Sequence, residues 1–334
     1  MAVARKSTKI VFLGMAILTA QMALFEQMAT PAAEAATEMP ASFKPRYMSL
    51  MYNHKNVYSE DEIQFLCDCG EWLIAHHEIG QARLLYERLR KSNRLTPYVL
   101  CGSAATYMDE MDETIDAATA TKFLNQALAI DKQCSRAYCR LAEISLLQDR
   151  LEESLILAEK ALKCPVVFGN AYLVKARAQT MLKRYDQAYK SILDAEKYFG
   201  PYASVFNTKG GILEQLGRNQ EAADAFRSGF KSHPSDWTQH QIINCLLKAG
   251  KDQEALKETA RLISIAPGDA DVYRLRASIY RKLKNYPAAL KDLDRTIDME
   301  PSSVAYKERA DVYNKLGKPD KSKADLAAAR KILE

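Results

Sequence analysis

The sequence predicts an all-α chain, an α-solenoid of stacked antiparallel helix pairs, and three observations carry that prediction. A pattern of aromatic and small residues returns every 33 or 34 positions. A turn-like segment recurs inside each period and a proline or glycine closes it, which is the punctuation of a helix hairpin. Only 13 Gly and 11 Pro occur in 334 residues while Glu, Lys, Ala, Leu and Arg abound, so long regular helices are favoured.

The N-terminus is built differently. Arg5, Lys6 and Lys9 precede the apolar run "IVFLGMAILTA" at 10–20, "QMALF" extends it to Phe25, and Ala33 and Ala35 follow as a small-residue pair. Basic, apolar and small regions in that order make a signal peptide over residues 1–35; an uncleaved anchor reaching Ala29 is the alternative. Either one sends the remainder to the non-cytoplasmic side, periplasmic or extracellular, since the positive flank stays inside. Residues 36–62 read as a linker or N-terminal extension.

From residue 63 the repeat can be measured. Ala142, Ala176, Gly210, Ala277 and Ala310 each follow an aromatic four places earlier, namely Tyr138, Tyr172, Phe206, Tyr273 and Tyr306. A divergent copy centred on Ile243 fills the double gap. Twelve places after each small residue stands another: Ser154, Ala188, Ala222, Ala255, Ala289 and Ser322. Between them lie "LGRNQEA", "AGKDQEA", "LKNYPAA" and "LGKPDKS", and each unit ends near Pro165, Pro201, Pro234, Pro267 or Pro301. Two weaker copies come first. One carries Gly70, Ala82 and Tyr86; the other carries Gly102, Ala120, Leu124 and Ala127 and is stretched around "MDEMDETID". The copies fall near 63–96, 97–134, 135–168, 169–202, 203–235, 236–269, 270–302 and 303–334.

This pattern resembles the tetratricopeptide repeat, with its aromatic, Leu-Gly-like pair, Tyr, Ala, Phe and Pro in 34 residues. Small side chains let two helices approach, and aromatics or leucines fill the space beside them. Arg276 and Arg309 stand where that family prefers leucine. The resemblance implies a right-handed solenoid whose repeats contact only their neighbours and whose first helices line a concave surface. It places a peptide-binding stripe at Asn170, Arg177, Asn207, Trp237, His240, Asn244, Arg274, Arg281, Lys307 and Asn314, with Arg136, Cys139 and Glu143 in an earlier copy. Arg274 and Arg281 lie two turns apart and could jointly receive an acidic segment. Trp237 is either an anchor or the filler of a core slot left by Gln239. The family's carboxylate-clamping lysine and asparagine are not reproduced; His240 with Asn244 is the nearest analogue.

Chemical motifs are few. "CDCGEWLIAHH" offers Cys67, Cys69, His76 and His77, but on a helix residues two apart diverge and no C-x₂₋₄-C knuckle is present. Buried free thiols are the better reading; a metal- or thiol-active cluster is the rival. "MDEMDETID" lacks the glycine and alternating ligands of a calcium loop and reads as a solvated turn. No nucleotide-binding or hydrolase motif occurs, so neither enzyme activity nor a cofactor is expected. Neighbouring repeat helices stand about 8–10 Å apart, so thiols in equivalent phases do not bridge. A net charge of +5 with interspersed signs gives no nucleic-acid footprint, and membrane contact is confined to residues 10–29.

The expected function is a non-catalytic, exported scaffold binding a protein or peptide segment for assembly or transport. At the C-terminus Lys321, Lys323, Asp325, Arg330 and Lys331 keep the last helix solvated, or it pairs with another copy.

Overall fold

The computed structural model describes residues 42–52, 57–76, 78–92, 95–108, 116–199 and 202–332. The signal-like segment, His77 and most of "MDEMDETID" lie outside the described residues. Within them the chain is helical without strands. No described helix is long and apolar enough to cross a membrane.

The repeat is a turn device before it is a packing device. Asp149, Lys183, Gly217, Gly250, Lys284 and Gly317 have φ between +58° and +73°, one in each of the six copies from residue 135 onward. The following residue donates its backbone N–H five residues back: Arg150 to Ser145, Arg184 to Gln179, Arg218 to Leu213, Lys251 to Leu246, Asn285 to Tyr280 and Lys318 to Tyr313, at 2.8 to 2.9 Å. Each such bond satisfies a carbonyl that the helix end would orphan and reverses the chain into the next helix.

The helices are α1 (Lys44–Tyr52), α2 (Glu60–Ala75), α3 (Ile79–Lys91), α4 (Pro97–Ala105), α5 (Ala117–Ile130), α6 (Ser135–Leu147), α7 (Leu151–Leu162), α8 (Asn170–Met181), α9 (Tyr185–Phe199), α10 (Ala203–Gln215), α11 (Asn219–Ser232), α12 (Asp236–Lys248), α13 (Asp252–Ile265), α14 (Ala270–Lys282), α15 (Tyr286–Met299), α16 (Ser303–Lys315) and α17 (Pro319–Lys331). Eight hairpins run from α2 to α17. Caps set their starts: Ser59 and Glu62 form a capping box before α2, and the hydroxyls of Ser235 and Ser302 accept backbone N–H bonds in α12 and α16. The arrangement is an α-solenoid, and it separates into two compact units, one ending at Val174 and one beginning at Lys175.

In the N-terminal unit, Tyr86 of α3 fills the space that two glycines leave. A methyl group on Gly70 would stand 2.5 Å from its ring and one on Gly102 only 2.1 Å. The Tyr86 hydroxyl donates to the Cys67 carbonyl at 3.1 Å, so the buried ring leaves no polar orphan there. Helix α1, inside the stretch read as a linker, buries Tyr47 and Leu50 in the same cluster as Tyr86. Its Arg46 pairs with Asp61 and stacks on Phe65. Helix α4 has only nine residues, and Val99 through Ala105 are all buried.

The C-terminal unit uses the same steric rule with other residues. Phe226 of α11 lies against Gly210 of α10, where an added methyl would stand 2.8 Å away. The divergent copy buries Ile243 in the small-residue position and Gln239 in the aromatic one. Gln239 donates to Glu258 Oε2 at 2.8 Å, which satisfies its amide nitrogen, while its amide oxygen stays buried without a partner among the described residues. Arg276 and Arg309 are held by Asp292 and Asp325 on the paired second helices. Asp325 is therefore buried against Arg309, which corrects its assignment to the solvated face of the last helix.

Candidate functional site

In the C-terminal unit the first helices α10 and α12, and likewise α14 and α16, are joined across their polar faces. Lys248 of α12 reaches Glu214 of α10 at 2.6 Å, and Arg281 of α14 reaches Asp311 of α16 at 3.4 Å. These pairs are partly or largely exposed and contribute about 0–1 kcal/mol each, so they mark a shared surface more than they hold it together.

Most of the predicted stripe residues stand on these helices. Arg177, Asn244, Lys307 and Asn314 are exposed, and His240 is half-buried. Trp237 is 56% exposed, its indole edge-on to Phe226 at 5.9 Å between ring centres. Gln239 fills the core slot, so Trp237 is left on the surface. Asn207 is drawn inward: its amide oxygen is buried and faces Gly229 of its own hairpin. Asn170, half-buried, begins α8 inside the N-terminal unit and belongs with that unit.

Arg274 and Arg281 are already engaged. Arg274 holds Asp271 at 3.0 Å, and Glu308 of α16 sits 3.8 Å from Arg274 and 3.9 Å from Arg281. Burial pushes the Glu308 carboxyl above its ordinary value, against the pull of the two guanidinium groups. An incoming acidic segment has to displace Glu308 rather than find two free arginines. Sequence reasoning missed this residue. The available sign is a charge in the phase where the preceding copy has Leu275.

The equivalent face of the N-terminal unit is closed by its own charges. Glu71 of α2 bonds Arg136 at 2.7 Å and Arg140 at 3.0 Å, both on α6, and Glu143 takes Arg140 at 2.9 Å. The short α4 belongs to the repeat between them. Arg136 also stacks on Phe168 at 4.5 Å and Tyr98 at 5.3 Å.

The thiols at 67–77 do not form a reactive centre. Cys67 and Cys69 are buried, and burial pushes each thiol up to about 12, which leaves them protonated and poor nucleophiles. His76 stacks on Trp72 at 3.9 Å and bonds its carbonyl. Among the described residues no three His, Cys, Asp or Glu side chains converge as a metal site.

No family model matches the chain. Over 195 residues, 56% of the chain, it is 27% identical to Hsp70-Hsp90 organizing protein 1 of Glycine max, of which it covers 33%. Over 174 residues, 50% of the chain, it is 25% identical to tetratricopeptide repeat protein 16 of Mus musculus, of which it covers 23%. The chain thus spans a third or less of the length of these curated relatives. Among solved structures, a chain of the APC/C hetero-tetramer Cut9–Hcn1 superposes with a TM-score of 0.55 at 14% identity, over 81% of this chain and 49% of that one. That likeness is one of fold.

Proposed function

We propose, from the premise that the chain is a tetratricopeptide-repeat solenoid, that it is a non-catalytic scaffold and that the first helices of its C-terminal unit bind a protein or peptide segment. One observation carries this reading: Trp237, Asn244, Lys307 and Asn314 stand exposed on first helices whose polar faces are bridged between α10 and α12 and between α14 and α16. An exposed indole supplies a large contact area at little cost in side-chain entropy, and the amides and the ammonium supply hydrogen bonds to a backbone or a carboxylate. Charge neutralisation by Glu214, Asp271, Glu308 and Asp311 leaves the surface mixed, which favours a segment bearing both signs.

The scaffold works outside the cytoplasm in this reading. Support comes from the order of basic, apolar and small residues in 1–35. Intact-mass measurement of the exported protein checks it: a mature chain starting near Ala36 is expected, and a chain retained in the membrane with Met1 in place indicates the anchor instead.

Photo-crosslinking tests the surface. A crosslinker placed at Asn244 should capture a discrete protein from native extract, while one placed at Lys257, exposed on the second helix α13, should not. Equal capture from both positions removes the assignment. Trp237→Ala should weaken the captured interaction by about 2 kcal/mol or more, the size of an aromatic anchor.

A further inference from the structure

Two cysteines outside the 67–77 cluster lie together. Cys101 on α4 and Cys134 at the N-cap of α6 bring their sulfurs to 3.8 Å. They stand in different phases of the repeat, Cys101 inside a first helix and Cys134 at the cap of the next one, which is why the spacing argument against bridges between equivalent positions does not reach them. Cys101 is fully buried and Cys134 is partly exposed. Cys134 borders an open cavity of about 340 Å³ lined by Pro97, Tyr98, Arg136, Val166 and Phe168, so one sulfur of the pair can be approached from solvent.

The electrostatics distinguish the two. The hydrogen bond with Cys101 brings the Cys134 thiol down to about 7 against the effect of burial, and the Cys101 thiol is pushed up by the same contact and by burial. The amides of Ala137 and Arg136 lie near enough to favour the thiolate, although none makes a close capping bond to the sulfur. Cys164, the third thiol nearby, bonds the Lys160 carbonyl and is held protonated by burial.

We propose that Cys101 and Cys134 are an oxidisable dithiol that forms an intramolecular disulfide by exchange with a small-molecule disulfide. The Cys134 thiolate attacks one sulfur of the incoming disulfide, breaking its S–S bond, forming a mixed disulfide and releasing one thiolate. Cys101 then loses its proton and attacks the Cys134 sulfur, and the second small thiolate leaves. Two protein thiols are oxidised and one external disulfide is reduced to two thiols. Closing the sulfurs from 3.8 Å to a bond of about 2.05 Å is a displacement of under about 2 Å. The product ties α4 to the start of α6, with α5 in the loop that it closes.

The reduced full-length chain, incubated with glutathione disulfide at neutral pH, trapped with iodoacetamide and digested without reductant, decides the matter. Expected is a peptide pair joining Cys101 to Cys134, the loss of two hydrogen atoms in intact mass, and reversal by dithiothreitol. Before oxidation, Cys134 should alkylate roughly tenfold or more faster than Cys67 or Cys69. In Cys101→Ser the first step has no successor, so Cys134 should retain one glutathionyl group. A wild-type map without the 101–134 peptide, or with Cys134 joined to Cys164 instead, overturns the proposal without recourse to any variant.

Discussion

Arg276 on α14 grips Asp292 on α15 through two parallel hydrogen bonds of 2.7 Å each, and the carboxylate side chain is only 4% exposed. One repeat later Arg309 and Asp325 repeat the pairing at 2.9 and 2.8 Å. Both arginines stand in a phase where tetratricopeptide repeats favour leucine. An ion pair has thus replaced an apolar contact between the two helices of a hairpin, and it is satisfied only while both members are present.

Removing one member should therefore cost far more than removing both. Arg276→Leu leaves a buried, unpaired carboxylate and should destabilise the C-terminal unit by about 3 kcal/mol. The double change Arg276→Leu with Asp292→Leu should recover most of that loss, because the pair's desolvation cost disappears with it. Thermal denaturation of the two singles and the double gives the cycle; additive losses would contradict the pairing argument.

Adjacent glycines on α10 should respond with opposite signs. An alanine at Gly210 drives its methyl against the Phe226 ring, whereas nothing lies within 4 Å of a methyl on Gly211. Gly210→Ala should cost about 1–3 kcal/mol through overpacking. Gly211→Ala should gain about 0.5–1 kcal/mol from helix propensity alone. Urea midpoints of the two variants check this, and Phe226→Leu should relieve the first and leave the second unaffected.

The interhelical turns give a third test. Lys284 holds φ at +60° where Gly317 holds +68° in the next repeat. A non-glycine residue in that region carries about 1 kcal/mol of strain or more. Lys284→Gly should raise the unfolding midpoint and Gly317→Ala should lower it, each by about 1 kcal/mol. Equal and like-signed effects would mean that the turns do not govern the reversal.

How much of this was legible follows from what each feature depends on. The period was legible because small residues and prolines act locally, through backbone approach and helix termination, and recur at fixed intervals. Helix α1 was not, since nine residues with Tyr47 and Leu50 as their buried contacts carry too short a pattern to stand out. Arg276 and Arg309 were visible as exceptions, but their partners Asp292 and Asp325 lie sixteen residues on, and only the phase between two helices decides that they meet. The same dependence hid the meeting of Cys101 with Cys134 and the closure of the N-terminal face by Glu71. In the stripe, Asn244 and Lys307 stand exposed, whereas repeat phase could not show that the Asn207 amide oxygen is buried against Gly229.

Glu308 links stability to the proposed binding surface and makes the last prediction. Its carboxyl titrates above the ordinary glutamate value because burial disfavours the anion more than Arg274 and Arg281, at 3.8 and 3.9 Å, favour it. A folded-state pKa raised above the unfolded one means that the folded chain binds the proton more readily. The stabilisation is then fully present below the unfolded value of 4.5 and is lost as pH rises through the folded one. At pH 7 the ionised group is a burden, so Glu308→Gln should leave the unfolding midpoint unchanged or raise it. As pH falls toward 4.5 the wild-type chain should gain on the variant. Glu308→Gln removes the carboxylate shared by the two arginines and leaves each its remaining partner, Asp271 or Asp311, so it should tighten binding of an acidic peptide to the C-terminal unit, while Arg274→Glu with Arg281→Glu should weaken it. Isothermal titration of the three chains with one acidic peptide reads both effects. Tighter binding without a change in the pH profile would assign Glu308 the role of an internal competitor only; looser binding would show that Glu308 positions the arginines instead of occupying them.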